Sequence, residues 1–356
     1  MKKTILVGVL QCLVLVLFAA EPAGYYNSAE GKSGETLRQA LFSKIKDHYN
    51  VGYEGLYNVY PTSDVTADGK VWDMYSTCTW THGQKKCGGN YQYQTVCDCY
   101  NREHSVPQSW FSKASPMVSD AFHVYPTDGK VNGQRSNYEY GECSGGTSLG
   151  GKALGRLGES TLSGYTSYGT VFEPDDEYKG DFARTYFYMA TRYADKCSSW
   201  GYTFGKDVSG LTYYGVALFM KWHRQDPVSQ KEKNRNDAVY TKQNNRNPFI
   251  DYPDLAEHIW GSKKNEAWYS SQSPVENITL PLFEISPNPA KDYITISSET
   301  TSKIGYRIFD LSGKTMLSGE TQVGAPVAIN SLNNGIYLIM VDIDERMQLQ
   351  KFIVNK

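Results

Sequence analysis

The sequence has 356 residues, a length that favours two folded units over one small domain. Its net charge of −2 and pI near 6.3 supply no global basic field, so charge alone gives no sign of a nucleic-acid partner. No phosphate-binding Walker loop and no dinucleotide fingerprint occurs, and the many aromatic residues read as core rather than as a cofactor box.

The chain opens on Met1-Lys2-Lys3, runs apolar from Ile5 to Phe18 and reaches small residues at Ala19-Ala20. A basic head, an apolar stretch and a small-residue exit describe a secretory signal peptide over residues 1–20, cut after Ala20 or Ala23. The stretch is shorter than the ~20 apolar residues of a spanning helix, so no stable membrane span is expected. Beyond the leader stand Cys78, Cys87, Cys97, Cys99, Cys143 and Cys197. An even count in an exported chain favours disulfides. The spacing does not suit zinc, whose cysteine pairs usually stand about two to four residues apart. The expected pairing keeps the first four together and leaves Cys143 to meet Cys197.

Residues 24–270 read as mixed α and β. Leu37, Leu41 and Ile45 give Glu35 to Tyr49 a helical apolar pattern. Asp181 to Asp195 and Leu211 to His223 read as further helices, and Lys231 to Gln243 as a polar, exposed one. Thr95 to Tyr100 alternates as a strand does. Then come Asn101-Arg102-Glu103-His104-Ser105-Val106-Pro107 and, further on, Asp120 to Tyr138. Adjacent strand residues point to opposite faces, so Glu103 and His104 need a bulge or a strand end to share a site. Thr127 or Asp128 can cap a helix starting near Gly129, which would put Asn132, Arg135 and Ser136 on one face. An asparagine inside a short helix has poor propensity, which suggests that its side chain has a task. Lys221 to Arg246 carries seven basic against three acidic residues, usually no more than a solvated helix face.

Strand with histidine, loop, helix with asparagine is the plan of a ββα-metal nuclease. Together with Lys221 to Val228 and Asn245 to Asp251, these segments resemble the bacterial endonuclease I family of periplasmic and secreted, largely sequence-independent nucleases of the His-Me finger type. The resemblance implies an α+β fold: a ββα-metal domain with added helices. It implies Glu103 and Asn132 as ligands of a divalent ion, usually Mg2+, with Mn2+ or Ca2+ as substitutes. It implies His104 as the base that activates water, hydrolysing DNA and also RNA to products with 5′-phosphates. Oxygen donors suit such a hard ion, and an imidazole with an unperturbed pKa of ~6.5 suits the base. His123 and Arg102 are expected to support the site. Arg135 is the candidate phosphate clamp, because a guanidinium can grip two oxygens. Lys113, Arg184 and Arg246 are further candidates for contact with nucleic acid. The alternative is a surface-attached binder of glycans or DNA on an inactive nuclease fold; no H-E-x-x-H motif supports a metalloprotease.

A polar linker over residues 271–283 follows, and Asn277-Ile278-Thr279 within it matches a glycosylation acceptor by chance. Short β-type runs then recur at Tyr293–Ile296, Tyr306–Phe309, Ile336–Val341 and Lys351–Val354, separated by turn residues, as in a small β-sandwich over 284–356. Ser286-Pro287-Asn288-Pro289-Ala290 and the closing Lys351-Phe352-Ile353-Val354 make this tail similar to the type IX secretion sorting domain. That similarity implies the type IX machinery as partner, passage through the periplasm, and release or outer-membrane surface attachment. A monomer is expected.

Overall fold

The computed structural model describes residues 21–89, 91–270, 283–298, 303–310, 314–343 and 346–356. The expected leader, most of the linker and Asn277 lie outside the described residues. The chain forms two compact units, one up to residue 273 and one from 274 onward. Among the described residues no helix is long and apolar enough to cross a membrane.

The first unit is built around helix α4 (Lys179–Arg192), every residue of which is buried. Tyr186, Phe187 and Met189 fill its interior, and helices α1 (Gly34–Ile45) and α5 (Tyr213–Gln225) pack on it. The apolar face expected from Leu37, Leu41 and Ile45 is the buried face of α1. Helix α2 (Leu56–Ser63) lies against α6 (Gln230–Gln243).

Two expectations need correction here. Helix α6 is polar but not an exposed helix: Glu232, Arg235, Asn236 and Gln243 are buried because each finds a partner inside. The strand does not cover Thr95 to Cys99. Disulfides Cys78–Cys97 and Cys87–Cys99 cross that segment, Cys97 takes a left-handed φ of 76°, and the Asp98 carboxylate accepts from Gln94 N and Thr95 N to close a turn. Strand β1 starts only at Tyr100 (Tyr100–His104).

Strand β1 pairs antiparallel with β2 (Val124–Asp128), from Tyr100 opposite Asp128 to His104 opposite Val124. Asp128 then caps helix α3 (Gly129–Arg135), its carboxylate accepting from Lys130 N and Val131 N. Such a cap is worth about 1 kcal/mol. Buried Asp73 accepts the Asp128 N–H at 3.0 Å and so fixes where α3 begins. A small sheet of β3 (Thr147–Ser148), β4 (Arg156–Glu159) and β5 (Thr170–Glu173) lies beyond, and strand β6 (Phe204–Val208) precedes α5.

The second unit is all β. One sheet has the order β10-β9-β12-β13, from Thr315–Gln322, Lys303–Phe309, Gly335–Ile343 and Arg346–Val354. The other has the order β11-β8-β7, from Pro326–Ala328, Tyr293–Ser297 and Glu284–Ser286. Ile294 and Ile296 of the second sheet share one buried cluster with Ile308, Ile339 and Phe352 of the first, which makes a sandwich with its own core.

Candidate active site

His104 closes β1, and a strand end rather than a bulge lets it share a cavity with Glu103: the pairing with β2 has no register shift. The cavity measures about 450 Å³ and is also lined by Arg102, Asn132 and Arg135. The three residues of the expected catalytic set, two from β1 and one from α3, therefore face one space.

Each is held by specific partners. Glu103 is buried; its Oε1 accepts from Tyr75 Oη at 2.8 Å and from Arg135 Nη1 at 3.0 Å. Burial pushes its pKa up to about 7, against the pull of Arg135 and Tyr75. A carboxylate in that condition gains from a further positive charge beside it. Asn132 Nδ2 donates to Asn101 Oδ1 at 2.7 Å and lies 3.4 Å from the Arg102 carbonyl. Two acceptors on the amide nitrogen leave Asn132 Oδ1 turned the other way. Among the described residues no hydrogen bond reaches Glu103 Oε2 or Asn132 Oδ1. A pair of unspent oxygens, one anionic and one neutral, is a donor set that fits a hard divalent cation.

His104 Nε2 lies 3.0 Å from the Val118 carbonyl. A carbonyl only accepts, so Nε2 carries the proton and Nδ1 keeps its lone pair, with no protein partner among the described residues. Burial, with His123 next to it, pushes His104 down to about 3, which keeps the ring neutral in ordinary buffers. The His123 ring lies tilted by 58° against it, 5.5 Å centroid to centroid, and its own Nε2 meets the Met117 carbonyl at 2.6 Å. The Arg102 guanidinium lies over the rings of Tyr53 and Tyr57, 3.6 Å and 4.5 Å from their centroids, and donates to Glu54.

Several expected cations are placed otherwise. Arg135 is buried, and beyond Glu103 it donates to the carbonyls of His104 at 2.9 Å and Ser105 at 2.6 Å. Its donors stitch the end of β1 to α3 and are not presented as a clamp. Arg184 is buried against Glu232, and Arg246 against Asp237 and Asp251; neither offers a surface to nucleic acid. Lys113 is exposed, and its backbone N–H donates to the carbonyl of Gln108, which lines the cavity; Lys113 itself is not among the lining residues. Most of the basic excess of Lys221 to Arg246 is spent on internal pairs: Lys221 with Glu142, Arg224 with Glu257, Lys231 with Asp181, Arg235 with Asp64. Cys143 and Cys197 do not pair with each other. Both are buried free thiols, Cys143 beside Glu173 and Cys197 against the Ala190 carbonyl at the end of α4. The site residues not anticipated are Tyr75 and Asn101. Asn101 lies inside the motif, opposite Thr127, but nothing in its spacing marks it as a partner of Asn132.

Residues 33–254 match the family model described as Endonuclease I. The chain belongs to the endonuclease I family. It is 34% identical over 248 residues to an extracellular ribonuclease of Bacillus amyloliquefaciens, covering 68% of this chain and 80% of that protein. An extracellular ribonuclease of Bacillus subtilis (strain 168) is 32% identical over the same shares, 68% and 80%. A periplasmic deoxyribonuclease of Aeromonas hydrophila is 29% identical over 38% of this chain and 48% of that protein. Residues 284–355 match a secretion system C-terminal sorting domain, the part that forms the β-sandwich. The protein is thus an endonuclease of a generally divalent-metal-dependent family, with a tail that supports secretion or attachment at the cell surface.

Proposed function

We propose that this endonuclease I family member is an exported, largely sequence-independent phosphodiesterase acting on DNA and RNA, with His104 as general base and a divalent ion, Mg2+ in the first instance, held by Glu103 and Asn132. What supports this reading is that Glu103, Asn132 and His104 line one cavity while Glu103 Oε2, Asn132 Oδ1 and His104 Nδ1 have no hydrogen-bond partner among the described residues. Nδ1 takes the proton of a water molecule as that water attacks phosphorus, and the carbonyl on Nε2 steadies the imidazolium that forms. When bound, the ion supplies charge neutralisation at the phosphate and at the departing 3′ oxygen, so the products carry 5′-phosphates. Arg135 acts as a positioning residue, holding Glu103 and the β1 end in register with α3, in place of the clamp expected from sequence. The attacking group is water, so the chemistry needs no 2′-hydroxyl. The names of the relatives, ribonucleases and a deoxyribonuclease, agree with both substrates.

We assign the leader to residues 1–20, the nuclease to 24–270 and the tail, from 284, to the type IX route, with a monomer as the working unit. Plasmid nicking and RNA digestion by the secreted chain, with Mg2+, with chelator and as His104→Ala, test the catalytic reading. Full cutting by the alanine variant removes it, and binding without any cleavage by the parent protein favours the inactive-fold alternative.

A further inference from the structure

The disulfide loop between Cys87 and Cys99 carries Tyr93 onto helix α3. Cβ atoms built at Gly129 and Gly133, one turn apart, would lie 3.2 Å from Tyr93 Cδ1 and 3.1 Å from Tyr93 Cε2. The two glycines thus give the ring a seat of bare backbone, one residue from the proposed ligand Asn132. Tyr93 is nonetheless 45% exposed and lines the catalytic cavity. An aromatic ring seated on a helix and open to the site is a ready platform for a planar partner.

The charge in the cavity points the same way. Apart from the proposed ion, the cations that line it are Arg102 and Arg135, each already paired, with Glu54 and Glu103, so few side-chain charges are left to hold the neighbouring strand. Stacking of a base on an aromatic ring adds strand affinity next to the scissile bond without sequence preference. A base inside a duplex has both faces covered and cannot use such a platform.

We infer that Tyr93 is a specificity-determining residue that stacks an unpaired nucleobase beside the scissile phosphate, so that this nuclease favours single-stranded nucleic acid. The inference rests on the catalytic reading above for the position of that phosphate, but its test does not need turnover. The full chain as His104→Ala is titrated, in Ca2+, with a single-stranded oligonucleotide carrying 2-aminopurine and with the same label in a blunt duplex. Expected results are quenching of the single-stranded probe, an about ten-fold weaker Kd with loss of quenching on adding Tyr93→Ala, and retention of both on adding Tyr93→Phe. Duplex affinity stays unchanged. Equal losses for both probes, or none for either, overturn the proposal. Full cleavage by His104→Ala would instead sink the catalytic reading, and the same titration with non-hydrolysable phosphorothioate probes then decides the stacking proposal by the same outcomes.

Discussion

Arg135 and Glu103 form an ion pair of 3.0 Å in which the two side chains are only 1% and 3% exposed. Removing one partner of such a pair strands the other's charge in a dry place, at a cost of about 3–5 kcal/mol. Arg135→Gln is therefore expected to lower the urea midpoint strongly and to weaken Mn2+ binding by calorimetry. Arg135→Lys should recover part of the stability but not the two carbonyl contacts. Unchanged metal affinity in a folded Arg135→Gln protein would remove its positioning role.

Asn101 is expected to matter to the ion without touching it. Asn101→Ala frees the Asn132 amide to turn, and loss of such a supporting contact typically weakens metal binding about 10–100-fold. Calorimetry with Mn2+ checks this, and circular dichroism shows whether the fold is kept.

His223 ties stability to pH. Burial, with Arg184 close by, pushes it down to about 4, whereas the unfolded chain titrates near ~6.5. Between those values the unfolded state holds a proton that the folded state refuses, so stability falls as pH falls through that window. From pH 7 to 5 the loss from this one ring is roughly 2 kcal/mol. Unfolding free energies from urea melts at pH 7 and pH 5 should fall by about 2 kcal/mol less in His223→Gln than in the parent, and equal falls would count against it.

Thiol chemistry separates the two cysteine arrangements. With Cys78–Cys97 and Cys87–Cys99 closed, the denatured mature chain should react with two equivalents of a thiol reagent, at Cys143 and Cys197. No reaction would restore the pairing expected from sequence. Opening Cys87–Cys99 as a double serine variant should cost about 2–4 kcal/mol.

Much of the candidate site is legible in the sequence because its parts are local. Glu103 and His104 are neighbours, Asp128 caps the helix that carries Asn132, and both segments obey short-range rules of capping and strand pairing. What could not be read depends on distant partners. Tyr75 reaches Glu103 across 28 positions, and Arg235 reaches Asp64 across 171, so an arginine bound for the interior looks in sequence like one bound for phosphate. The segment before β1 alternates as a strand does, yet cross-links to Cys78 and Cys87 override that preference. In the tail, alternation such as that of Tyr293–Ser297, with Ile294 and Ile296 buried and Tyr293 and Ser297 exposed, sufficed to mark strands with one wet face.

The 3-10 turn Met117–Ser119 offers successive carbonyls, Met117 to His123 and Val118 to His104. One short piece of main chain thus dictates the tautomer of both imidazoles at once. The cavity is thereby exposed to events on a segment that contributes no side chain to its lining: a small shift of this turn would retune His104, the proposed base, while leaving every lining side chain in place.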